Sequence, residues 1–484
     1  MIIGAGVAGL GTALGLARSG RRVTVIDRDP APPALDPETA FSSWDRSGVP
    51  QARQPHAFWA RSRNLLLQRA PEVLERLRDI GVGEWNILNM APPAMRVPED
   101  QQFTSLLVRR LPFEVTLRNV VEEEPLVEIR PETLVDRIEF ATDRDGAPPR
   151  ATAVRLRGGE VLPADLVIDA TGRRSRLVSS LAGHGVIVPT QMEDCNVVYY
   201  GRYYRQLDDS DLDPEELTRR GGGDLGYFQY GTFQGDNRTL AIFLNPPPWD
   251  TPFKALRHKH VFEAVARAIP AAAPWVDPQH TSPITDVQPM AGQQNVLRRF
   301  VVDGRPVALG VLPVGDSLCT TNPQNGWGAS LALTYAFAAV DAVAQHDGDL
   351  EGIAMAYHDA VWPDAEAYFR ASAAIDRIRT HRWRGEEIPA EDQEEAERQR
   401  LLQEGLNPAM RRDMHVLRAM MRRTNLIDPP DAIWSDEQAV RIGRETMEWR
   451  AAKQRPFAVG PPRDEMLGII KEAGATIDET APAS

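Results

Sequence analysis

Cysteine, lysine and long apolar runs are all scarce in this sequence. The only cysteines are Cys195 and Cys319, so neither a disulfide framework nor a cysteine-rich metal site can be built. The only lysines are Lys254, Lys259, Lys453 and Lys471; every other basic residue except histidine is arginine, a bias expected of a GC-rich genome. No stretch reaches the roughly eighteen apolar residues that a membrane-spanning helix needs. The first residues, MIIGAG, hold neither a basic region nor a cleavage site, so no signal peptide is expected and the cytoplasm is the default compartment. Basic charge is also in deficit: the net charge of -13 opposes attraction to nucleic acid. What remains is ordinary for a globular chain of 484 residues, with 42% hydrophobic and 25% charged residues, enough for one large core or two to three smaller ones.

The amino-terminal stretch reads as a β-α-β unit. Ile2-Ile3 is a minimal strand, so either the start is clipped or few residues complete it. Gly4-Ala5-Gly6-Val7-Ala8-Gly9 follows, then a helical pattern burying Leu10, Leu14 and Leu16 and ending near Gly20. RRVTVID (21–27) alternates and is β-branched, which predicts a second strand ending at Asp27. Residues 30–55 are rich in Pro, Ser and Asp and read as a loop. One helix is expected over about 57–79 and another around 115–123. ATAVRL, a Gly-Gly turn and EVLPADLVIDATG read as a hairpin and a return strand. Between 185 and 300 the composition shifts to aromatic strands, NVVYYGRYY, LGYFQYGTF and RTLAIFL. Beyond 329 the chain reads as helical to about 452, with a Pro-rich stretch and a disordered tail over 475–484.

Four segments carry chemistry. In GAGVAG, Gly4 serves a tight turn, Gly6 lets backbone amides approach a pyrophosphate, and Gly9 lets helix and strand pack closely. Asp27, followed by Arg28, stands where a carboxylate takes ribose hydroxyls. A second glycine cluster, Gly221, Gly223 and Gly226, follows a charged stretch and not a buried strand, so it reads as a flexible loop. DLVIDATGRRSR (165–176) is an apolar strand exit whose small residues allow close approach to the first turn, or simply a strand-to-loop exit. RRLPFEVTLR (109–118) sets Arg110, Phe113 and Leu117 on one helix face. Finally, VALGVLPV leads into GDSLCTTNPQNGWGA (315–329), a carboxylate at a strand end followed by a glycine-rich approach to a helix.

In this order the segments resemble the FAD-dependent oxygenases of the para-hydroxybenzoate hydroxylase superfamily. GDSLCTTNPQNGWGA is similar to an approximate GDA.C..NP.YGQGM of the epoxidase and geranylgeranyl-reductase-like branches, and GVPQARQPHAF (48–58) resembles a segment of the same branch. The likeness spans about 1–345. It implies an α/β (α+β) fold: a Rossmann-type FAD-binding domain over 1–184 and 301–345, a mixed-sheet substrate domain over 185–300, and a helical region over 346–484. It implies FAD held by Gly4, Gly6, Ala8, Gly9, Asp27, Arg28, Arg110, Asp316 and the helix start at Gly328 and Ala329. Electrons would come from NAD(P)H or from a partner flavin reductase. A flavin C4a-hydroperoxide would then pass one oxygen from O2 to an apolar or aromatic small molecule, by hydroxylation or epoxidation.

Because the cofactor performs the oxidation, no strong protein acid or base is required. His56 is either a pocket residue or an ordinary loop histidine. Trp327 departs from the family pattern and either reshapes the pocket or packs in the core. Cys319 is expected to pack. A halogenase of the same fold is disfavoured, since no lysine precedes Lys254 and the W.W.IP motif is absent. The alternatives are a flavin-dependent reductase or dehydrogenase acting on a carbon-carbon double bond, and a non-catalytic FAD-holding protein.

Overall fold

The computed structural model describes residues 1–34, 36–142, 147–213, 221–453 and 460–474. β1 (Ile2–Ile3), α1 (Val7–Arg18) and β2 (Val23–Ile26) form the expected β-α-β unit, with Ile2 beside Val25 in parallel register. The expected loop at 30–55 contains one short helix, Pro37–Ser43. Asp36 caps it by accepting from the Thr39 amide at 2.8 Å.

The single helix expected over 57–79 is two helices, α2 (Ala60–Arg69) and α3 (Pro71–Asp79). Pro71 disfavours helical backbone at Ala70, which sits at φ -155°, ψ 60°, and then opens the second helix itself. α4 (Arg110–Glu122) joins the face of Arg110, Phe113 and Leu117 to the helix expected around 115–123, beginning five residues before it. β3 (Val127–Arg130) and β4 (Val167–Asp169) pair with the first strands.

The aromatic segment folds into antiparallel strands: β5 (Tyr199–Gln206), β6 (Gly222–Asp224), β7 (Gln229–Gln234) and β8 (Thr239–Asn245). The second glycine cluster is therefore a hairpin edge on β7, not a loose loop and not a nucleotide turn. β9 (Gln294–Arg298) pairs with Thr190–Asp194, and β10 (Val311–Pro313) returns to the parallel sheet. That sheet has the order β10-β4-β1-β2-β3.

The chain then turns helical: α5 (Gly328–Gln345), α6 (Leu350–Arg384), several shorter helices to Ala452, and finally α7 (Arg463–Glu472), a helix where a Pro-rich stretch is expected. The tail itself, 475–484, lies outside the described residues. No described helix is long and apolar enough to cross a membrane.

The two largest of the apolar clusters among the described residues organise these layers. The larger lies between the parallel sheet and α1, α2 and α5. Glycines on α1 let α5 come close: a Cβ at Gly15 would stand 2.6 Å from Val340 Cγ2. The smaller core lies behind the middle sheet, where Tyr200, Tyr204, Phe228 and Tyr230 pack with Met466 and Ile470 of α7. In a strand, alternate residues face opposite sides. Tyr199, Phe233 and Phe243 therefore face the other way, toward the parallel sheet.

Candidate functional site

A cavity of about 400 Å³ runs between the parallel sheet and the middle sheet. One end is formed by the glycine turn. Gly4 has φ +105°, and a Cβ there would stand 2.4 Å from the Ala170 carbonyl oxygen, so only glycine fits beside the DATG exit. At Gly9 a Cβ would stand 1.9 Å from the Gly4 oxygen. Gly9 thus serves packing and does not line the cavity, whereas Gly4, Gly6 and Ala8 do. The far carboxylate comes to the same place. Gly315, at φ +68°, lies so close to α1 that a Cβ would stand 3.0 Å from Ala8 Cβ. Residues more than 300 apart in sequence therefore meet at one groove.

Beneath the glycine turn runs a buried ladder of charge. Asp27 accepts from the Ala5 amide at 2.6 Å, from the Asp29 amide at 2.8 Å and from Arg46 Nη1 at 3.2 Å. Arg46 also donates to Asp29 at 3.0 Å and pairs with Glu114. Burial opposes the Arg46 charge, but the three carboxylates outweigh it and its pKa is raised. Glu114 is one helical turn beyond Arg110, whose Nη2 lies 3.2 Å away. Arg110 sits under the turn, 3.8 Å from where a Gly6 Cβ would stand. The buried Nε atoms of Arg46 and Arg110 have no partner among the described residues. Arg28 is more exposed, 3.6 Å from Asp29, at the rim.

His56 lines the cavity beside Arg110. Its Nδ1 lies 2.8 Å from the Gln54 carbonyl oxygen, which places the proton on Nδ1 and turns the Nε2 lone pair toward Arg110 Nη1 at 3.4 Å. Burial first, and then the Arg110 charge, push its pKa down to about 3. It is a neutral acceptor that orients Arg110.

Asp316 faces the cavity near Gly328 and Ala329 at the start of α5. Burial raises its pKa, opposed by the charges of Arg110, Arg173 and Arg298. Among the described residues its carboxylate has no hydrogen-bond partner. Arg298 holds the turn from behind. It donates to the carbonyls of Asp316 (3.2 Å), Ser317 (2.9 Å) and Arg173 (3.4 Å), tying two cavity loops together. Trp327 does not line the cavity. It packs edge-on against Tyr368 at 5.1 Å, so of its two expected places the structure gives it the core. Cys319 is also core, its thiol pushed up by burial.

Part of the remaining wall is apolar, formed by Tyr199, Phe233, Phe243 and Met290, with Gln293, Thr320, Thr321 and Gln324 beside it. No lysine lines the cavity among the described residues. The donor set fits an elongated dinucleotide: a glycine cradle, an unpartnered carboxylate and a helix amino end that meet at one groove, and two arginines beneath the glycine turn with unpartnered buried Nε atoms. Sequence reasoning missed Arg46, Asp29, Glu114 and Arg298. Only Glu114 carried a signal, its four-residue spacing from Arg110.

Residues 1–93 match the family described as DAO, FAD dependent oxidoreductase. No curated protein sequence matches the chain. Among solved structures it is similar to PqsL, a probable FAD-dependent monooxygenase from Pseudomonas aeruginosa, with 16% identity over 79% of this chain and 97% of that one and a TM-score of 0.55. The flavin-dependent brominase Bmp2 shares 16% identity over 93% and 98% at a TM-score of 0.59. A 2-methyl-3-hydroxypyridine-5-carboxylic acid oxygenase shares 15% over 79% and 92% at 0.52. The chain has the FAD monooxygenase fold and is an oxidoreductase.

Proposed function

We propose that this oxidoreductase is an FAD-dependent monooxygenase that places one oxygen atom from O2 on an apolar or aromatic small molecule, by hydroxylation or epoxidation. The observation that carries the reading is the convergence of Gly4–Ala8 and Asp316 on one cavity whose far wall is aromatic. In this reading Asp27 and Arg28 hold the adenosine end, with Arg46 beside them. Gly6 and Arg110 hold the pyrophosphate and Asp316 the ribitol chain. The start of α5 at Gly328 and Ala329, which lines the cavity, would offer its partial positive charge to the flavin and so favour the anionic reduced state. The bound flavin supplies the activation of O2. The chain supplies the rest: Arg110 fixed by His56 and Glu114, Asp316 fixed by the Arg298 clamp, and an apolar wall that keeps water from the reacting atoms.

Within the superfamily, the GD segment and residues 48–58 favour the epoxidase and geranylgeranyl-reductase-like branch. We keep 1–184 with 301–345 as the FAD-binding domain, 185–300 as the substrate domain and 346–484 as the helical region, and place the protein in the cytoplasm. Electrons would come from NAD(P)H or from a partner flavin reductase. Although a brominase shares the fold, the lysine-free cavity lining argues against halogenation.

The test is a single turnover of the reduced, FAD-loaded protein with isotope-labelled O2 and a panel of aromatic and alkene probes. Label in an oxygenated product supports the reading. Anaerobic saturation of a probe by the reduced protein, or anaerobic formation of a carbon-carbon double bond by the oxidised protein, replaces it with the reductase or dehydrogenase alternative.

A further inference from the structure

The aromatic wall ends in a set of amides whose orientation is forced by charge. Arg379 of α6 is buried, pairs with Asp376 at 2.7 Å, and donates through Nη1 to Gln324 Oε1 at 3.2 Å. A guanidinium only donates, so the oxygen of the Gln324 amide must face it. Gln324 Nε2 then donates to Gln229 Oε1. Gln229 in turn donates through Nε2 to Asp224 Oδ2 at 3.1 Å, and Trp383 Nε1 holds the other carboxylate oxygen at 2.9 Å. The chain Arg379, Gln324, Gln229, Asp224 thus has a cation at one end, a carboxylate at the other and one possible direction between. Such a series polarises each member.

Of the two amides, Gln324 lines the cavity. One hydrogen of its Nε2 goes to Gln229, and the other has no partner among the described residues. The neighbouring strand carries a further unpartnered amide just outside the cavity lining. Gln229 pairs across the sheet with Asn245, which shares its face with Phe243. Asn245 is wholly buried, yet neither atom of its amide has a partner among the described residues. A polar row beside an apolar wall, short of acceptors, is built for a ligand that brings an oxygen. The nearby titratable groups do not ask for charge: His56 is neutral, and the phenol of Tyr199 is held far above its usual range by burial. Of the nearby cations, Arg173 is engaged by Gln293, Arg110 by His56 and Glu114, and Arg379 by Asp376.

We propose that Gln324 is a specificity-determining residue. Its amide hydrogen, fixed by the chain from Arg379 to Asp224, binds a carbonyl oxygen on a neutral and otherwise apolar substrate. The inference rests on the monooxygenase reading and adds the substrate class to it.

The test compares 1-tetralone with tetralin, one bicyclic frame with and without the carbonyl, by calorimetry on the FAD-loaded full chain. Wild type should bind the ketone at least about tenfold more tightly. Gln324→Leu should bring that ratio to about one while holding the tetralin affinity within about threefold. Gln324→Glu keeps an oxygen for Arg379 but has no amide hydrogen, and should lose the preference too. If Gln324→Leu does not fold, Gln229→Leu leaves Gln324 in place but unfixed, and should narrow the ratio at full FAD content. A wild type without preference or without measurable tetralone binding, or a Gln324→Leu protein that retains the preference, overturns the assignment alone. A protein that takes up no FAD overturns the flavin reading beneath it as well.

Discussion

Arg298 and His56 show how single side chains are made to serve the groove without touching it or without carrying charge. Arg298 is buried behind two loops and spends its donors on three backbone carbonyls. Replacing it with Met removes the donor to the Ser317 and Arg173 carbonyls and leaves the Asp316 carbonyl with Thr320 alone, so the Asp316 turn is held to the Arg173 turn by the Gly172 and Ser317 contact only. Each buried hydrogen bond to a charged donor contributes about 1.5–3 kcal/mol. Arg298→Met should therefore weaken FAD binding roughly tenfold to a hundredfold, read by flavin fluorescence titration, and Arg298→Lys should restore part of it. His56 predicts a pH effect. Its pKa falls from 6.5 to about 3 on folding, so below 6.5 the unfolded chain binds a proton that the folded chain refuses. The neutral imidazole thus costs stability progressively as pH falls from 6.5 toward 3. In urea unfolding, His56→Gln should narrow its deficit or overtake wild type as the pH is lowered through that window; a constant difference would refute the shift. Neither role was legible in sequence. His56 stood out by its motif, but its partners come from Gln54 and from a helix 54 residues on. Arg298 lies in a plain strand, and its function exists only because two distant loops meet behind it.

Among elements, the β-α-β unit was legible because its signals are local: two short apolar strands, glycines at fixed offsets, a carboxylate after the second strand. The aromatic middle sheet was legible as strands, and its two faces follow from alternation once the sheet is formed. The break at Ala70–Pro71 was written in the sequence but hidden by an apolar pattern continuous across it. The closeness of α1 and α5 was not legible at all, since it depends on which helix lands on Gly11 and Gly15. That contact yields a sign to test. Replacing an exposed helical glycine by alanine normally stabilises by about 1 kcal/mol. At Gly15 the new Cβ would stand 2.6 Å from Val340 Cγ2 and 3.1 Å from Cγ1, and overpacking costs about 1–3 kcal/mol. Gly15→Ala should therefore lower the thermal midpoint, and Val340→Ala in the same chain should recover much of the loss. A simple rise in the midpoint on Gly15→Ala would mean that the two helices are not in this register.

At the scale of the whole molecule, the middle sheet is shared between two neighbours that have nothing else in common. Its front face closes the cavity with Tyr199, Phe233 and Phe243; its back face is completed by α7, the last helix described. Met466 and Ile470 are fully buried there, Tyr227 donates its hydroxyl to the Pro461 carbonyl at 2.8 Å, and Arg463 makes two bonds to Asp250 at 2.7 and 2.8 Å. Nothing in a Pro-rich carboxy-terminal stretch announces this, because the apolar face of a ten-residue helix has meaning only against the sheet that receives it. The two ends of the cavity should then respond differently to damage at α7. Met466→Ala with Ile470→Ala removes two core side chains, each worth about 2–5 kcal/mol in such a site. The double variant should lose thermal stability while its FAD affinity stays near wild type, since the glycine turn, Arg110 and Asp316 belong to the other core. Probe binding on the aromatic wall should weaken, because the strands carrying Phe233 and Phe243 lose their backing. Equal losses of FAD and probe affinity would show instead that the two cores yield as one unit.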